Sequence, residues 1–515
     1  MQMSRRLNRR DFLKLASSLP LGFVIPPLAK AFHPLQPLQE GKKNVLVIVF
    51  DAWSAYHLPI YGYPRNTTPN ISRLAERAIV YHNHYAGGNF TTPGTASLLT
   101  GTLPWTHRAF QSYDSVTQAF VNQNMFQAFK NHYRVAYSHN PLANVLLRQF
   151  SGHMNHYMPM SELMLTTDGL LEVLFENDED IANVAWTRTA KKQEEGLEGH
   201  SYSLFLSELY QWYQEKKVAA FKPFFPRGVP NIEGENFFLL ENAIDWLQEQ
   251  VNQFPRPFMG YFHFMPPHSP YNTHRDFYGT FNNDGFRAPS KPEDIFSDGN
   301  PDKELLRRRV SYDEFILYLD REFARLFNYL ESSGVLDDTW VVLTSDHGEL
   351  FERGVRGHTP PLLYQPVVRI PLMIFEPGRT SRRDVYESTS AVDVLPTLLH
   401  VTGETPPAWT EGTLLPPFSA TEPQPDRTIY SLNAKNNDPA APLTRATAMI
   451  LSGNHKLMYF FGYKELGKGV ERIELYDIES DPEELNDLYA KQKDTGAELL
   501  HQLKEKLKEV NRFYS

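Results

Sequence analysis

Asn44-Val45-Leu46-Val47-Ile48-Val49-Phe50-Asp51 is the stretch on which the fold turns. Its apolar residues are continuous rather than alternating, and the run has strand length. That pattern describes a strand buried on both faces, as in a sheet covered by helices on each side. Asp51 follows at the carboxyl end, where open α/β sheets place their ligands. Working outward, Ile79 to Tyr81, Tyr133 to Tyr137, Phe258 to Phe264, Trp340 to Thr344 and Pro371 to Phe375 read as further strands. Helical patterns fall between them at Asn70 to Arg77, Thr117 to His132, Asn236 to Gln253 and Leu305 to Glu331. Strands alternating with helices predict an α/β fold with a mostly parallel central sheet sandwiched by helices.

A second stretch carries the chemistry. Phe90 to Gly101 reads F-T-T-P-G-T-A-S-L-L-T-G, a turn running straight into a short helix. A hydroxyl at such a start sits where free backbone N–H groups and the helix dipole favour an anion. Asp51 and the pair Asp346-His347, in T-S-D-H-G-E, each follow a buried strand. With Thr91 they make two carboxylates, one imidazole and one hydroxyl, a set suited to one divalent cation such as Mn, Zn or Ca. The cation would lower the pKa of the Thr91 hydroxyl and neutralise a tetrahedral anion. His268, in P-P-H-S-P, and His358, in R-G-H, lie in loops on the same side of the sheet. One suits protonation of a leaving oxygen and the other suits binding the anion. His107 and His139 receive no role.

Arg9-Arg10-Asp11-Phe12-Leu13-Lys14 has a twin-arginine pattern, followed by a modest apolar run and a small-x-small site at Ala29-Lys30-Ala31. Residues 1–31 therefore read as a signal peptide for the twin-arginine export machinery, giving a periplasmic or otherwise extracytoplasmic protein. Losing six Lys/Arg and one Asp takes the net charge from −10 to −15, which disfavours nucleic acid as a partner. No later stretch has the roughly 18 apolar residues of a membrane span. There are no cysteines, so disulfides, thiolate metal sites and a cysteine nucleophile are excluded.

The catalytic domain is placed at 43–403, with 140–235 as a variable insertion over the site. A Pro-rich linker at 404–427 leads to a C-terminal subdomain, 428–515. Its short strands (Thr428 to Leu432, Thr447 to Leu451, Lys456 to Phe460, Ile473 to Asp477) and closing helix Gly496 to Asn511 predict a small antiparallel sheet plus helix.

These motifs, in this order, resemble the sulfatase branch of the alkaline-phosphatase-like superfamily. The anchors are Asn44 to Asp51, Y-G-Y-P-R-N-T-T-P-N-I-S-R-L-A (Tyr61 to Ala75) and Thr91 to Gly101. Pro266 to Pro270, Thr344 to Glu349, V-D-V-L-P-T-L-L (Val392 to Leu399) and E-L-Y-D-I-E-S-D-P-E-E-L-N-D-L (Glu474 to Leu488) complete them. The resemblance implies a metal at Asp51, Asp346 and His347, Thr91 as nucleophile, and His268 and His358 lining the anion pocket. Departures are as informative. The family's C-x-P-S-R or S-x-P-S-R, whose first residue becomes formylglycine, is here T-x-P-G-T. Threonine cannot form that aldehyde, and the motif's arginine is Thr95. The G-K pair falls at His139-Asn140, and the second acidic ligand falls at Ala52. A threonine nucleophile instead resembles the phosphodiesterase and phosphoethanolamine-transferase branches. The leading expectation is a one-metal hydrolase of phosphodiesters or phosphonate monoesters, acting on a small-molecule, glycan or lipid ester. The alternatives are a sulfatase working without formylglycine, an envelope phosphoethanolamine-type transferase, and a non-catalytic binding protein.

Overall fold

The computed structural model describes residues 41–166, 201–232, 236–419 and 427–514. The signal-peptide reading, and residues 167–200 and 233–235 of the expected insertion, lie outside them.

The central-sheet strands and one hairpin are, in chain order, β1 (Asn44–Phe50), β2 (Ile79–Tyr81), β3 (Tyr133–Ser138), β4 (His156–Tyr157), β5 (Phe258–Phe264), β6 (Thr339–Thr344), β7 (Leu350–Glu352), β8 (Val355–Gly357), β9 (Leu372–Phe375) and β10 (Arg383–Val385). Eight of them form one sheet in the order β10-β2-β9-β6-β1-β5-β3-β4, while β7 and β8 pair with each other. All contacts in the large sheet are parallel except those of β9, which runs antiparallel to both β2 and β6.

Strand β1 is central, and every residue of it is buried. Its side chains alternate between two cores. Leu46, Ile48 and Phe50 enter one, and Val45, Val47 and Val49 enter the other. This is why the run shows no polar alternation: a strand covered on both faces has no wet side. Each such side chain contributes on the order of 1.5–3 kcal/mol by burial.

The covering helices are α1 (Pro69–Leu74), α2 (Thr91–Thr100), α3 (Pro141–Gln149), α4 (Ser201–Phe221), α5 (Leu240–Gln250), α6 (Asp302–Ser332) and α7 (Val394–Val401). Helices α1, α5 and α6 supply the first core, and α2, α3 and α7 the second. Two expected helices are shorter in the fold. Thr117 to His132 holds only a 3-10 turn at Gln118–Phe120 and one turn at Met125–Ala128. The Asn236 to Gln253 pattern becomes helical only at Leu240, because Phe237 and Phe238 make bridges to Asn231 and Met164. The start of the 140–235 region also belongs to the body: α3 packs in the second core and β4 is the edge strand.

Strands β11 (Ile429–Asn433), β12 (Ala446–Ser452), β13 (His455–Phe461) and β14 (Arg472–Asp477) form the small sheet, antiparallel throughout, with α8 (Lys493–Asn511) against it. It shares apolar cores with the catalytic body. Leu103, Trp105 and Phe110 meet Leu432, Ala448 and Leu503 in one cluster, and Tyr85 and Leu350 join Met449 and Met458 in another.

Candidate active site

Three chain segments converge at the carboxyl ends of β1, β5 and β6. Asp51 leaves β1, Asp346 and His347 leave β6, and Thr91 opens α2, and all four are at most 1% exposed. One ligand atom from each of Asp51, Asp346 and His347 lies within 4.8 Å of the others. His347 Nε2 is 3.5 Å from Asp51 Oδ1 and 3.7 Å from Asp346 Oδ2. Thr91 Oγ1 is 3.3 Å from the same nitrogen, so the hydroxyl points into the cluster. His347 Nδ1–H donates to the Gly348 carbonyl at 2.9 Å, which fixes the ring and leaves Nε2 facing inward.

Local backbone explains the closeness. A Cβ on Gly94 would stand 2.2 Å from the Asp346 carbonyl oxygen, so only glycine lets α2 lie this near the β6 loop. Ala52 takes a left-handed conformation (φ 57°) as β1 ends. Its amide thereby reaches Asp346 Oδ1 at 3.3 Å, while its carbonyl accepts from Tyr312 at 2.6 Å. The site thus receives a backbone N–H and a methyl where the family pattern has a second acid.

Sequence reasoning missed three participants. Asn140 Nδ2 donates to both Asp51 Oδ2 and Thr91 Oγ1, the latter at 3.2 Å, and its Oδ1 caps α3 by accepting from Leu142 N. His263 Nε2 is 3.1 Å from Asp51 Oδ2, and its other nitrogen is 3.2 Å from the Tyr261 hydroxyl. Thr95 donates to Asp346 Oδ2 at 3.3 Å, so the residue in place of the motif arginine orients a carboxylate. The available signal was His263 itself, a lone imidazole inside the otherwise apolar Phe258 to Phe264. Asn140 stood out only as a departure from the pattern.

His268 and His358 stand together, with ring centroids 5.1 Å apart, and His358 is 4.2 Å from the ring of His347. His268 Nδ1–H donates to the Ser269 carbonyl at 2.7 Å, which turns Nε2 away from that bond. His358 Nδ1 lies 3.2 Å from Glu349 Oε1. His107 has a structural part. Its Nδ1 accepts from Ala109 N, which leaves Nε2–H to donate to Ser97 Oγ. His139 stacks on Phe238, fully buried.

The electrostatics ask for a cation. Burial would raise the Asp51 carboxyl, but the charge of His268, the hydrogen bond from His263 and the nearby imidazole of His347 outweigh it and hold it well below the usual range. Burial and the neighbouring Asp51 charge push Asp346 up. Burial opposes charge on His347, yet Asp346 and Asp51 prevail and raise its pKa to about 9. Burial and the positive charge of His347 and His268 push His358 well below the usual imidazole value, so it is neutral. Asp51 Oδ1 is buried without a hydrogen-bond partner. A free carboxylate lone pair beside two oxygen donors and an inward imidazole nitrogen fits a divalent cation. Asp51, Asp346 and His347, with Thr91 Oγ1 adjacent, would hold it.

Such a site on a helix-covered, mostly parallel sheet defines an ester-cleaving enzyme of the alkaline-phosphatase-like superfamily. The chain belongs to the Sulfatase family, whose profile matches residues 43–404; the profile "N-sulphoglucosamine sulphohydrolase, C-terminal" matches residues 359–512. It is 25% identical over 481 residues to the choline-sulfatase of Rhizobium meliloti, covering 88% of this chain and 83% of that protein. It is 24% identical to the multifunctional alkaline phosphatase superfamily protein PehA of Trinickia caryophylli, covering 87% and 91%. The fold superposes on the crystal structure of the phosphonate monoester hydrolase of Agrobacterium radiobacter with a TM-score of 0.65 at 18% identity, covering 92% and 96%.

Proposed function

We propose that this protein hydrolyses phosphodiesters or phosphonate monoesters through a threonine nucleophile, with one divalent cation, Mn, Zn or Ca, at Asp51, Asp346 and His347. The observation that carries this reading is the Thr91 hydroxyl, buried at a helix start and 3.3 Å from the inward nitrogen of His347. When bound, the cation supplies positive charge that lowers the pKa of that hydroxyl.

Thr91 Oγ1, its proton lost to solvent beforehand, attacks phosphorus in line as an alkoxide; the Oγ1–P bond forms as the bond from phosphorus to the leaving oxygen breaks, giving a covalent phospho-threonine. The Asn140 amide donates to Oγ1 at 3.2 Å and so holds the nucleophile oxygen in place beside Asp51. His268 gives a proton to the leaving oxygen. His358, neutral and between His347 and His268, takes the proton from the water that then cleaves the phospho-threonine. Among the described residues no lysine or arginine stands inside the site, so the N–H groups opening α2 face the phosphoryl oxygens, and a cation held by Asp51, Asp346 and His347 would supply the remaining positive charge.

A second reading, sulfate-ester hydrolysis without formylglycine, is favoured by the choline-sulfatase relative. It requires water to displace sulfate from threonine by attack at sulfur, a slower step than elimination from an aldehyde hydrate. Transfer of a phospho-headgroup in the envelope ranks lower, as does a non-catalytic role; among the described residues no helix is long and apolar enough to cross a membrane. Twin-arginine export to an extracytoplasmic compartment is part of the same proposal.

The test is direct. Protein loaded with Mn, Zn or Ca is expected to hydrolyse bis-p-nitrophenyl phosphate faster than p-nitrophenyl sulfate, with one metal equivalent in the isolated protein. Faster sulfate release would reverse the ranking. Two equivalents would reject the one-metal site.

A further inference from the structure

The interior of the site has lost the family's cationic clamps, but two guanidinium groups stand at its entrance. A cavity of about 450 Å³ opens over Asn140 and His268, and Arg308 and Arg356 line it together with Tyr271 and Leu142. The two arginines come from separate elements: Arg308 from the first turns of α6, and Arg356 from β8, opposite Phe351 of β7. Arg356 is exposed, and among the described residues it makes no ion pair or side-chain hydrogen bond. Arg308 pairs through Nε with Glu304 on its own helix at 2.8 Å, which leaves its terminal nitrogens facing no described acceptor. One unpaired guanidinium, Arg356, and a second, Arg308, whose terminal nitrogens stay open beside its Glu304 pair, stand at the mouth of a partly enclosed cavity and attract a planar or tetrahedral anion.

Position says which part of a substrate would meet them. His268, the proton donor to the leaving oxygen in the proposed reaction, lies at the same cavity, so the departing arm of the ester occupies it. We propose that Arg308 and Arg356 bind an anionic group on the leaving alcohol, so that the preferred substrate is an ester whose departing arm carries its own carboxylate, phosphate or sulfate. Leu142 and Tyr271 supply the apolar wall for the carbon skeleton joining the two charges. The inference rests on the hydrolase reading for the identity of the departing arm, and it deepens that reading by naming the substrate class. It also predicts that a cationic leaving alcohol, such as choline, is disfavoured.

A matched pair of p-nitrophenyl-free diesters tests this: methyl phosphate esters of 3-(4-hydroxyphenyl)propionic acid and of its amide, whose phenols have nearly equal leaving ability. The metal-loaded enzyme is expected to prefer the acid about tenfold in kcat/KM, carried by KM, as for a charge-assisted pair in a half-open cavity. The preference should collapse toward unity in Arg356→Gln, weaken in Arg308→Gln, and return in part in Arg356→Lys. A native preference near unity, or one that both glutamine variants retain, overturns the proposal. If neither ester turns over, the hydrolase reading fails. Calorimetry with the two free phenols then decides the arginine site: tighter binding of the acid, lost in Arg356→Gln, supports it, and equal binding rejects it.

Discussion

Two buried charge clusters in this molecule have opposite designs. Under the small sheet, Lys456 is fully buried and its Nζ donates to Glu484 Oε1 at 2.6 Å. The other oxygen of Glu484 accepts from Gln365 N at 2.7 Å, and the Glu484 carbonyl accepts from Arg353. Anion and cation are matched one to one, and the carboxylate is saturated. At the end of β1 the balance is different. Asp51 and Asp346 face two shared imidazoles, His263 and His347, with no lysine or arginine paired to either among the described residues, and Asp51 Oδ1 has no hydrogen-bond partner. A closed cluster locks two parts of a fold together; an open one reserves room for something that arrives later. A buried charge therefore marks a functional site when its neighbours leave a lone pair and a direction unfilled.

The sharpest way to break this contrast is to remove the nucleophile. Thr91→Ala should lower kcat/KM by at least about a thousandfold while the melting temperature stays within about two degrees. Removing the cation with a chelator should abolish turnover as well. It should also lower the melting temperature reversibly, because a ligand present at a hundred times its Kd adds about 2.7 kcal/mol to the folded state. Chelation that leaves both activity and melting unchanged would contradict the open-cluster reading.

The closed cluster should respond in stability rather than catalysis. Lys456→Met strands Glu484 and should cost about 3–5 kcal/mol, read by denaturant unfolding. Asp346→Asn, by contrast, removes a carboxylate that Asp51 repels. It should abolish metal uptake yet cost little stability in metal-free protein. Equal destabilisation by the two substitutions would erase the distinction.

Acid should have a smaller, distributed effect. Burial lowers His84 and His107 to about 3 and His132 to about 4. A depressed histidine pKa means the unfolded chain binds protons that the folded chain refuses. Stability is therefore full above about pH 6.5 and falls as pH drops toward 4, by on the order of 1 kcal/mol per pH unit for each site. Asp320, raised by burial to about 6, acts in the reverse sense between its ordinary value and 6. His139, lowered by burial to about 3, adds to the loss, while Glu322 and Glu349, raised by burial to about 7, oppose it, so melting curves between pH 7.5 and 4.5 should show only a small net loss. The smallest effect belongs to Ala52→Gly, which relieves the left-handed backbone at φ 57° and should stabilise by about 1 kcal/mol.

Most of the frame was legible from the chain. Continuous apolar runs at β1, β5 and β6 mark strands covered on both faces, and the four late strands and the closing helix fall where turn residues bound them. Two expected helices, Thr117 to His132 and Asn236 to Gln253, come out shorter. Thr117 to His132 carries a helical pattern but folds as short turns, since its apolar residues serve the second core from irregular backbone. The strand β9 is antiparallel because the hairpin β7–β8 and the loop after it bring the chain back to the carboxyl end of β6, a reversal that no local pattern encodes.

By itself the sequence determined a helix-covered sheet, the order of its motifs and the identities of Asp51, Thr91, Asp346, His347, His268 and His358 as candidates. These follow from residue type and from spacing along one strand or one turn. Only the tertiary structure decided that Asn140 and His263 share Asp51, that Thr95 steadies Asp346 from the position of the motif arginine, and that Gly94 admits α2 to within touching distance of the β6 loop. It also gathered Arg308 and Arg356 at one cavity. Each of these facts joins segments dozens to hundreds of residues apart, and side-chain direction across such distances is fixed by packing, not by any local propensity.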